Sequence, residues 1–217
     1  MKQVDIAARI DHTLLKPDST EKDIVNLCHE AVKYSFASVC INPTYLCTAA
    51  RLLHGTTIVP TTVVGFPLGA AITEIKLQEI LTAKAHGARE VDVVMNIGRA
   101  KSGDWNTVKR DIEAMVHTAQ GCGLKIKVII EASLLDEAEK QKATEITRES
   151  GADYIKTSTG FFGGATVEDV RKLKQWGGSE LKVKASGGIK TQEFALELLA
   201  AGADRIGTSS GVMIIGD

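Results

Sequence analysis

The chain has 217 residues, 44% of them hydrophobic and 24% charged, enough for one substantial core and without fibrous or disordered bias. Its 26 basic and 27 acidic residues give a formal net charge of -1 and are scattered, so no block of like charge marks a nucleic-acid or membrane partner. The first eleven residues interleave Lys2, Asp5, Arg9 and Asp11 with apolar positions, unlike a signal peptide, and no run approaches a membrane span; a cytoplasmic, single-domain chain over 1–217 is expected.

Short β-branched or apolar runs alternate with segments of helical period. In chain order, a strand at 8–12 leads to a helix at 20–34, a strand at 37–41, a strand at 57–64 and a helix at 72–86. A strand at 90–95 and a helix at 104–120 follow, then strands at 125–130, 154–157 and 181–185, a helix at 191–201 and a last strand at 205–207. With no Pro/Gly/Ser-rich linker to split it, this alternation predicts a parallel α/β sheet, and eight strands suit a closed (β/α)8 TIM barrel. The rival, an open doubly wound sheet, lacks its GxGxxG turn after the first strand and any P-loop lysine motif. Residues 208–217 are too few for a full eighth helix, so the outer ring is expected to gain an N-terminal helix around 2–10 or to stay incomplete.

A weak repeat supports the barrel. Gly87-Ala88-Arg89-Glu90-Val91-Asp92, Gly151-Ala152-Asp153-Tyr154-Ile155-Lys156 and Gly202-Ala203-Asp204-Arg205-Ile206-Gly207 each read as a helix-ending Gly-Ala followed by a strand. That register brings Asp92, Lys156 and Gly207 to one position towards the carboxyl ends of three strands, the end that carries the active site in this architecture.

Lys156 and Lys184 each follow an apolar strand into small polar residues, where a charge is expensive to bury without a purpose. On neighbouring strands, each ammonium disfavours the other and lowers its pKa; a neutral amine then attacks a carbonyl to form an iminium, the electron sink of aldol chemistry. Asp92 is read as the proton shuttle or the partner of the second lysine, its structural alternative being a carboxylate bonded to backbone or to Lys184. Thr159-Gly160, Gly187-Gly188 and Gly207-Thr208-Ser209-Ser210-Gly211 offer backbone N–H groups and hydroxyls for a phosphate at successive strand ends. Glu131 is read as a site acid or a hydrogen-bonded rim residue. His29, His54, His86 and His117 fall on helical segments and only His12 at a strand end, so neither metal nor cofactor is expected. Cys28, Cys47 and Cys122 are read as small buried hydrophobes and Cys40 as closing a strand, all reduced. A non-catalytic phosphosugar-binding barrel would not need the lysine pair, and an isomerase would need a carboxylate or histidine base in its place.

Asp11-His12-Thr13-Leu14-Leu15-Lys16-Pro17, Ser38-Val39-Cys40-Ile41-Asn42-Pro43, Gly65-Phe66-Pro67-Leu68-Gly69, Glu90-Val91-Asp92-Val93-Val94-Met95-Asn96 and the two lysine motifs together resemble the deoxyribose-phosphate aldolase family over almost the whole chain. The resemblance implies a class I aldolase that reversibly cleaves 2-deoxy-D-ribose 5-phosphate to D-glyceraldehyde 3-phosphate and acetaldehyde. It implies Lys156 as the Schiff-base lysine, Lys184 as its perturbing neighbour and Asp92 as a proton relay working with a bound water. It further implies Asp11, Thr13, Cys40 and Thr159 at the substrate and Gly160, Gly187, Gly188, Gly207, Ser209 and Ser210 at the phosphate, in a homodimer or homotetramer. Two departures from the family pattern stand out. The loop at 160–166 is one residue shorter than in many relatives, and the terminal tyrosine that some members use in proton transfer is absent from the sequence given.

Overall fold

A computed structural model describes residues 6–216. Eight parallel strands close into a barrel in sequence order, β1 (Ile10–Leu14), β2 (Ser38–Ile41), β3 (Val59–Val64), β4 (Glu90–Val94), β5 (Lys125–Ile129), β6 (Tyr154–Lys156), β7 (Lys182–Ser186) and β8 (Arg205–Thr208). Around them, among the described residues, lie α1 (Glu21–Tyr34), α2 (Leu46–Leu52), α3 (Thr73–Ala85), α4 (Ile97–Lys101), α5 (Trp105–Gly121), α6 (Glu137–Glu149), α7 (Val167–Gly177), α8 (Gln192–Ala200) and α9 (Gly211–Ile215), with single 3-10 turns at Pro43–Tyr45 and Ala132–Leu134. The (β/α)8 expectation therefore holds, and the short α9 accounts for the residues after the last strand. Ile6 and Ala7 are helical, while the rest of the N-terminal helix expected around 2–10 runs partly outside the described residues.

Local chemistry sets the boundaries. Thr20 and Asp136 cap α1 and α6 with reciprocal capping boxes to Asp23 and Glu139, and Thr166 and Thr191 cap α7 and α8. Gly87, Gly151 and Gly202, the repeat glycines, sit at φ 97°, 76° and 113° between helix and strand, where a side chain would be strained.

The outward strand positions, including Ile10, Val39, Ile41, Val91, Val93, Ile126, Val128, Ile155, Val183 and Ile206, are fully buried against the helices. Each such aliphatic side chain contributes about 1.5–3 kcal/mol on leaving water. One expectation fails by register. The first strand begins two residues later than the apolar pattern suggested, so His12 is mid-strand and faces the helix layer, with Nε2 2.7 Å from Glu30 Oε2. Burial holds its pKa below the usual value, and the Glu30 carboxylate only partly opposes this. Cys28 is buried as read, but Cys47 is exposed and Cys122 half-buried. The inner face of α2 is Leu46 and Ala49, one helical turn apart, which turns Cys47 to solvent.

Candidate active site

A parallel strand covered on one face by helices and filling a barrel on the other is expected to be apolar throughout. Here alternate residues are charged: Asp11 on β1, Glu90 and Asp92 on β4, Lys127 on β5, Lys156 on β6, Lys184 on β7 and Arg205 on β8, all at or near full burial. Because strand side chains alternate sides, these residues face inward while their apolar neighbours face the helices.

They meet at Asp92. Its Oδ2 accepts from Lys156 Nζ at 2.8 Å and from Lys184 Nζ at 2.7 Å, and its Oδ1 lies 3.1 Å from Lys127 Nζ. Lys184 also reaches Asp11 Oδ2 at 2.5 Å, and Asp11 Oδ1 accepts from the Arg205 guanidinium. Gly207 makes this reach possible. A Cβ there would overlap the Ser186 hydroxyl and lie 3.0 Å from Lys184 Cε, so a side chain would occupy the path of the lysine.

The electrostatics correct one expectation. Burial alone would push Lys184 down, yet the Asp11 and Asp92 carboxylates hold it well above the usual lysine range, so it is a fixed cation and not a lowered amine. Burial likewise works against charge on Asp92 and Asp11. The cations Lys127, Lys156 and Lys184 around Asp92, and Lys184, Arg205 and Lys127 around Asp11, nevertheless keep both carboxyls well below their ordinary values. Burial, reinforced by Asp92 with Sγ 3.9 Å from Oδ2, pushes the Cys40 thiol up to about 11, which keeps it protonated.

Above this layer, at the carboxyl ends of the strands, lies a cavity of about 440 Å³. Its lining runs from Thr13 to Lys16 at the end of β1, through Lys156 and Thr159 to Phe161 at β6, Ser186 to Lys190 at the end of β7, and Gly207 to Ser209 at β8. Of the residues singled out from the sequence, Lys156, Thr13, Thr159, Gly160, Gly187, Gly188, Gly207 and Ser209 line it. Lys184, Asp92, Asp11 and Cys40 lie outside that lining, because they precede the strand ends and are fully buried. Ser210 is outside the lining, its N–H donating to Thr208 Oγ1 at 2.9 Å. The hydroxyls of Thr13 and Thr159 are already committed, to the Asp11 carbonyl and to Glu131 Oε2. Glu131, at φ 52°, also accepts from Thr159 N at 3.0 Å and so is a hydrogen-bonded support for the β6 loop.

The loops around the mouth are tied together. Thr208 Oγ1 donates to the Ile189 carbonyl at 2.6 Å, Ser186 N to Thr157 Oγ1 at 3.0 Å, and Ala165 N to the Gly187 carbonyl at 3.1 Å. The 160–166 loop is anchored by Ser133 Oγ on the Phe162 carbonyl and by an edge-on contact of Phe161 with Phe66, centroids 5.4 Å apart. Gly187, at φ 91°, lies so close to Gly163 and Gly164 that a Cβ would sit 2.8 Å from the Gly163 carbonyl oxygen.

Reading the sequence missed Lys16 and Lys190, two exposed cations at the mouth, and the interior trio Glu90, Lys127 and Arg205. For two of the trio a signal existed, charges at alternate positions in Glu90-Val91-Asp92 and Lys125-Ile126-Lys127; Arg205 is the only charge on its strand. Among the described residues no carboxylate lines the cavity, and no group of three His, Cys, Asp or Glu side chains is arranged to hold a metal ion. The arrangement offers an amine at the base of a cavity, a carboxylate sharing its proton, and backbone N–H groups with flanking lysines for an anion.

A family model described as DeoC/LacD family aldolase matches residues 6–215. The chain is 67% identical over 216 residues to the deoxyribose-phosphate aldolase of Desulfitobacterium hafniense (strain DSM 10664 / DCB-2), covering 99% of each chain. It is 52% identical over 218 residues to that of Thermococcus gammatolerans, covering 99% of this chain and 97% of the relative. Among solved structures, the tetrameric deoxyribose phosphate aldolase from Aeropyrum pernix superposes with a TM-score of 0.90 at 38% identity, over 99% of this chain and 91% of that one.

Proposed function

Because the chain belongs to the DeoC/LacD aldolase family, aldol chemistry is its activity, and we propose that a Schiff base on Lys156 carries it. The reaction is the reversible cleavage of 2-deoxy-D-ribose 5-phosphate to D-glyceraldehyde 3-phosphate and acetaldehyde, a lyase step in deoxyribose phosphate catabolism. One observation carries the residue assignment: Lys156 alone among the interior bases lines the cavity, and its Nζ is hydrogen-bonded to Asp92.

The neutral Nζ of Lys156 adds to the C1 aldehyde carbon, and loss of water leaves an iminium. The C3 hydroxyl then gives up its proton while the C2–C3 bond breaks. The bonding pair moves into the iminium as an enamine, and glyceraldehyde 3-phosphate departs. Protonation of the enamine at C2 restores an iminium, whose hydrolysis frees Lys156 and acetaldehyde. Asp92, 2.8 Å from the reacting nitrogen, receives and returns the protons with a water as go-between, and Lys184 is one of the cations that keep Asp92 ionised between turnovers. The phosphate lies against the N–H groups of Gly160, Gly187, Gly188 and Gly207 and the Ser209 hydroxyl, where the absence of lining carboxylates favours a dianion. Ser210 supports this loop from behind.

An assembly of two or four copies is supported by the exposed apolar side chains Leu68, Ile72 and Ile75 at the start of α3. Four unbridged cysteines suit a reducing compartment, the cytoplasm, and no helix of the described residues is long and apolar enough to cross a membrane. The decisive experiment is borohydride trapping with 2-deoxyribose 5-phosphate and peptide mass spectrometry. A reduced adduct on Lys156 is expected; an unlabelled protein, where a known class I aldolase is labelled, would return the site to phosphosugar binding or isomerisation.

A further inference from the structure

Two buried charges take no part in the steps above. Lys127 and Glu90 lie 2.5 Å apart inside the barrel, shut off from solvent and outside the cavity lining. A buried ion pair is often no more stabilising than a well-packed apolar pair, so its presence beside a reacting centre calls for a role. The geometry supplies one. Lys127 Nζ lies 3.1 Å from the Asp92 oxygen that Lys156 and Lys184 leave free, an ion-pair contact without a hydrogen bond, so cations flank both carboxylate oxygens.

The titratable groups around this pair come from six strands. Asp92 is on β4 with Glu90; β6 supplies Lys156 and Tyr154, whose ring centroid is 5.7 Å from Lys127 Nζ; β7 supplies Lys184, and Lys182 with Nζ 5.5 Å from the same centroid. Arg205 on β8 lies 3.5 Å from Glu90, Asp11 on β1 joins Arg205 to Lys184, and Cys40 on β2 lies against Asp92. Lys182 is exposed, and the Cys40 thiol and Tyr154 phenol, both raised first by burial, are uncharged at neutral pH. Glu131, buried just after β5, is held by Thr159 and pairs with none of these bases, so the connected network among the described residues is four bases, Lys127, Lys156, Lys184 and Arg205, against three acids, Asp11, Glu90 and Asp92.

We propose that Lys127 and Glu90 are positioning residues that set the pH at which Lys156 becomes a free amine, Lys127 by leaving the interior one base in excess and Glu90 by limiting that excess to one. Lys156 is the interior base with the fewest carboxylate partners, touching Asp92 alone where Lys127 touches Glu90 and Asp92 and Lys184 touches Asp11 and Asp92, and so it is the one on which the surplus charge bears most. Charges in a water-poor interior act on each other over the whole network, so a residue remote from substrate changes the proton affinity of the nucleophile. The inference rests on the assignment of Lys156 as nucleophile.

The test is the pH profile of kcat/KM, whose rising limb reports the free enzyme's base. Lys127→Met leaves three bases to three acids, and the limb should move to higher pH by about one unit. Glu90→Gln leaves four to two, and the limb should move to lower pH by a similar amount. The double variant restores the single surplus, and its limb should return to the wild-type position. A loss of rate at all pH values with the limb in place, or single variants that shift in the same direction, would overturn the proposal. Circular dichroism reports folding; if only one single variant folds, its shift and the return in the double variant decide. Borohydride labelling of the wild type runs alongside. No label on Lys156 would defeat the Schiff-base reading itself, whereas a labelled Lys156 with an unmoved limb would defeat only this inference.

Discussion

Replacing Gly207 by alanine isolates the role of one missing side chain. Gly207 is not in the left-handed region, so its backbone accepts alanine and the effect is purely steric. The new methyl would overlap the Ser186 hydroxyl and meet Lys184 Cε at 3.0 Å, a contact that only movement of Lys184 or of β8 relieves. Overpacking of a tight interior costs about 1–3 kcal/mol, and for a chain of this size each kcal/mol lowers Tm by roughly 2–4 °C. The catalytic cost is the larger one. Lys184 Nζ is held at 2.5 Å from Asp11 and 2.7 Å from Asp92, and misplacing such a group by an ångström costs on the order of a hundredfold in kcat. Released glyceraldehyde 3-phosphate, followed through coupled NADH oxidation, measures kcat and KM, and differential scanning fluorimetry measures Tm. A variant with wild-type kcat and a Tm within about a degree would refute the claim that glycine is there to let Lys184 through.

Lys156→Arg should lose essentially all turnover and borohydride labelling while still binding inorganic phosphate by calorimetry; measurable turnover would defeat the nucleophile assignment. Lys76, fully buried between α3 and α5, lies 2.6 Å from Asp111 Oδ2, so Lys76→Met strands a buried carboxylate and should cost about 3–5 kcal/mol in urea unfolding. The companion Lys76→Met/Asp111→Leu should recover much of that stability, with KM unchanged in both. In the folded chain Asp11 and Asp92 hold protons more weakly than when unfolded, so the unfolded state takes up protons first and stability falls below about pH 4. Lys184 is shifted the other way, so its contribution is complete below about pH 10 and fades only above that. His12, buried and shifted down, adds a first decline as pH falls below about 6.5, so Tm should be flat only between about pH 7 and 10, and an Asp11→Asn variant with an unchanged slope below about pH 4 would contradict the assignment.

Periodicity alone located all eight strands, because an apolar run of β-branched residues between helical segments has few other uses in a soluble fold. It placed their ends less well. The start of β1 slipped by two residues because Ala8 and Arg9 extend the apolar alternation without joining the ladder, and that slip put His12 at an edge it does not occupy. The lysine pair, Asp92 and the glycine-rich loops were legible as residue types at strand ends. The interior charges Glu90, Lys127 and Arg205 were equally visible, but nothing in one strand says what faces it from the next.

What the sequence by itself determined was the order of strands and helices and which side chains can act as nucleophile, acid and anion holder, since these depend on residue type and local spacing. Tertiary structure alone decided that Lys184 is a fixed cation, that Asp11 and Cys40 are buried outside the cavity lining, and that Lys156 is the interior base that lines it. Closing the barrel brings residues as distant in sequence as Asp11 and Arg205 onto one network, and the charge each carries is set by the partners the closure supplies.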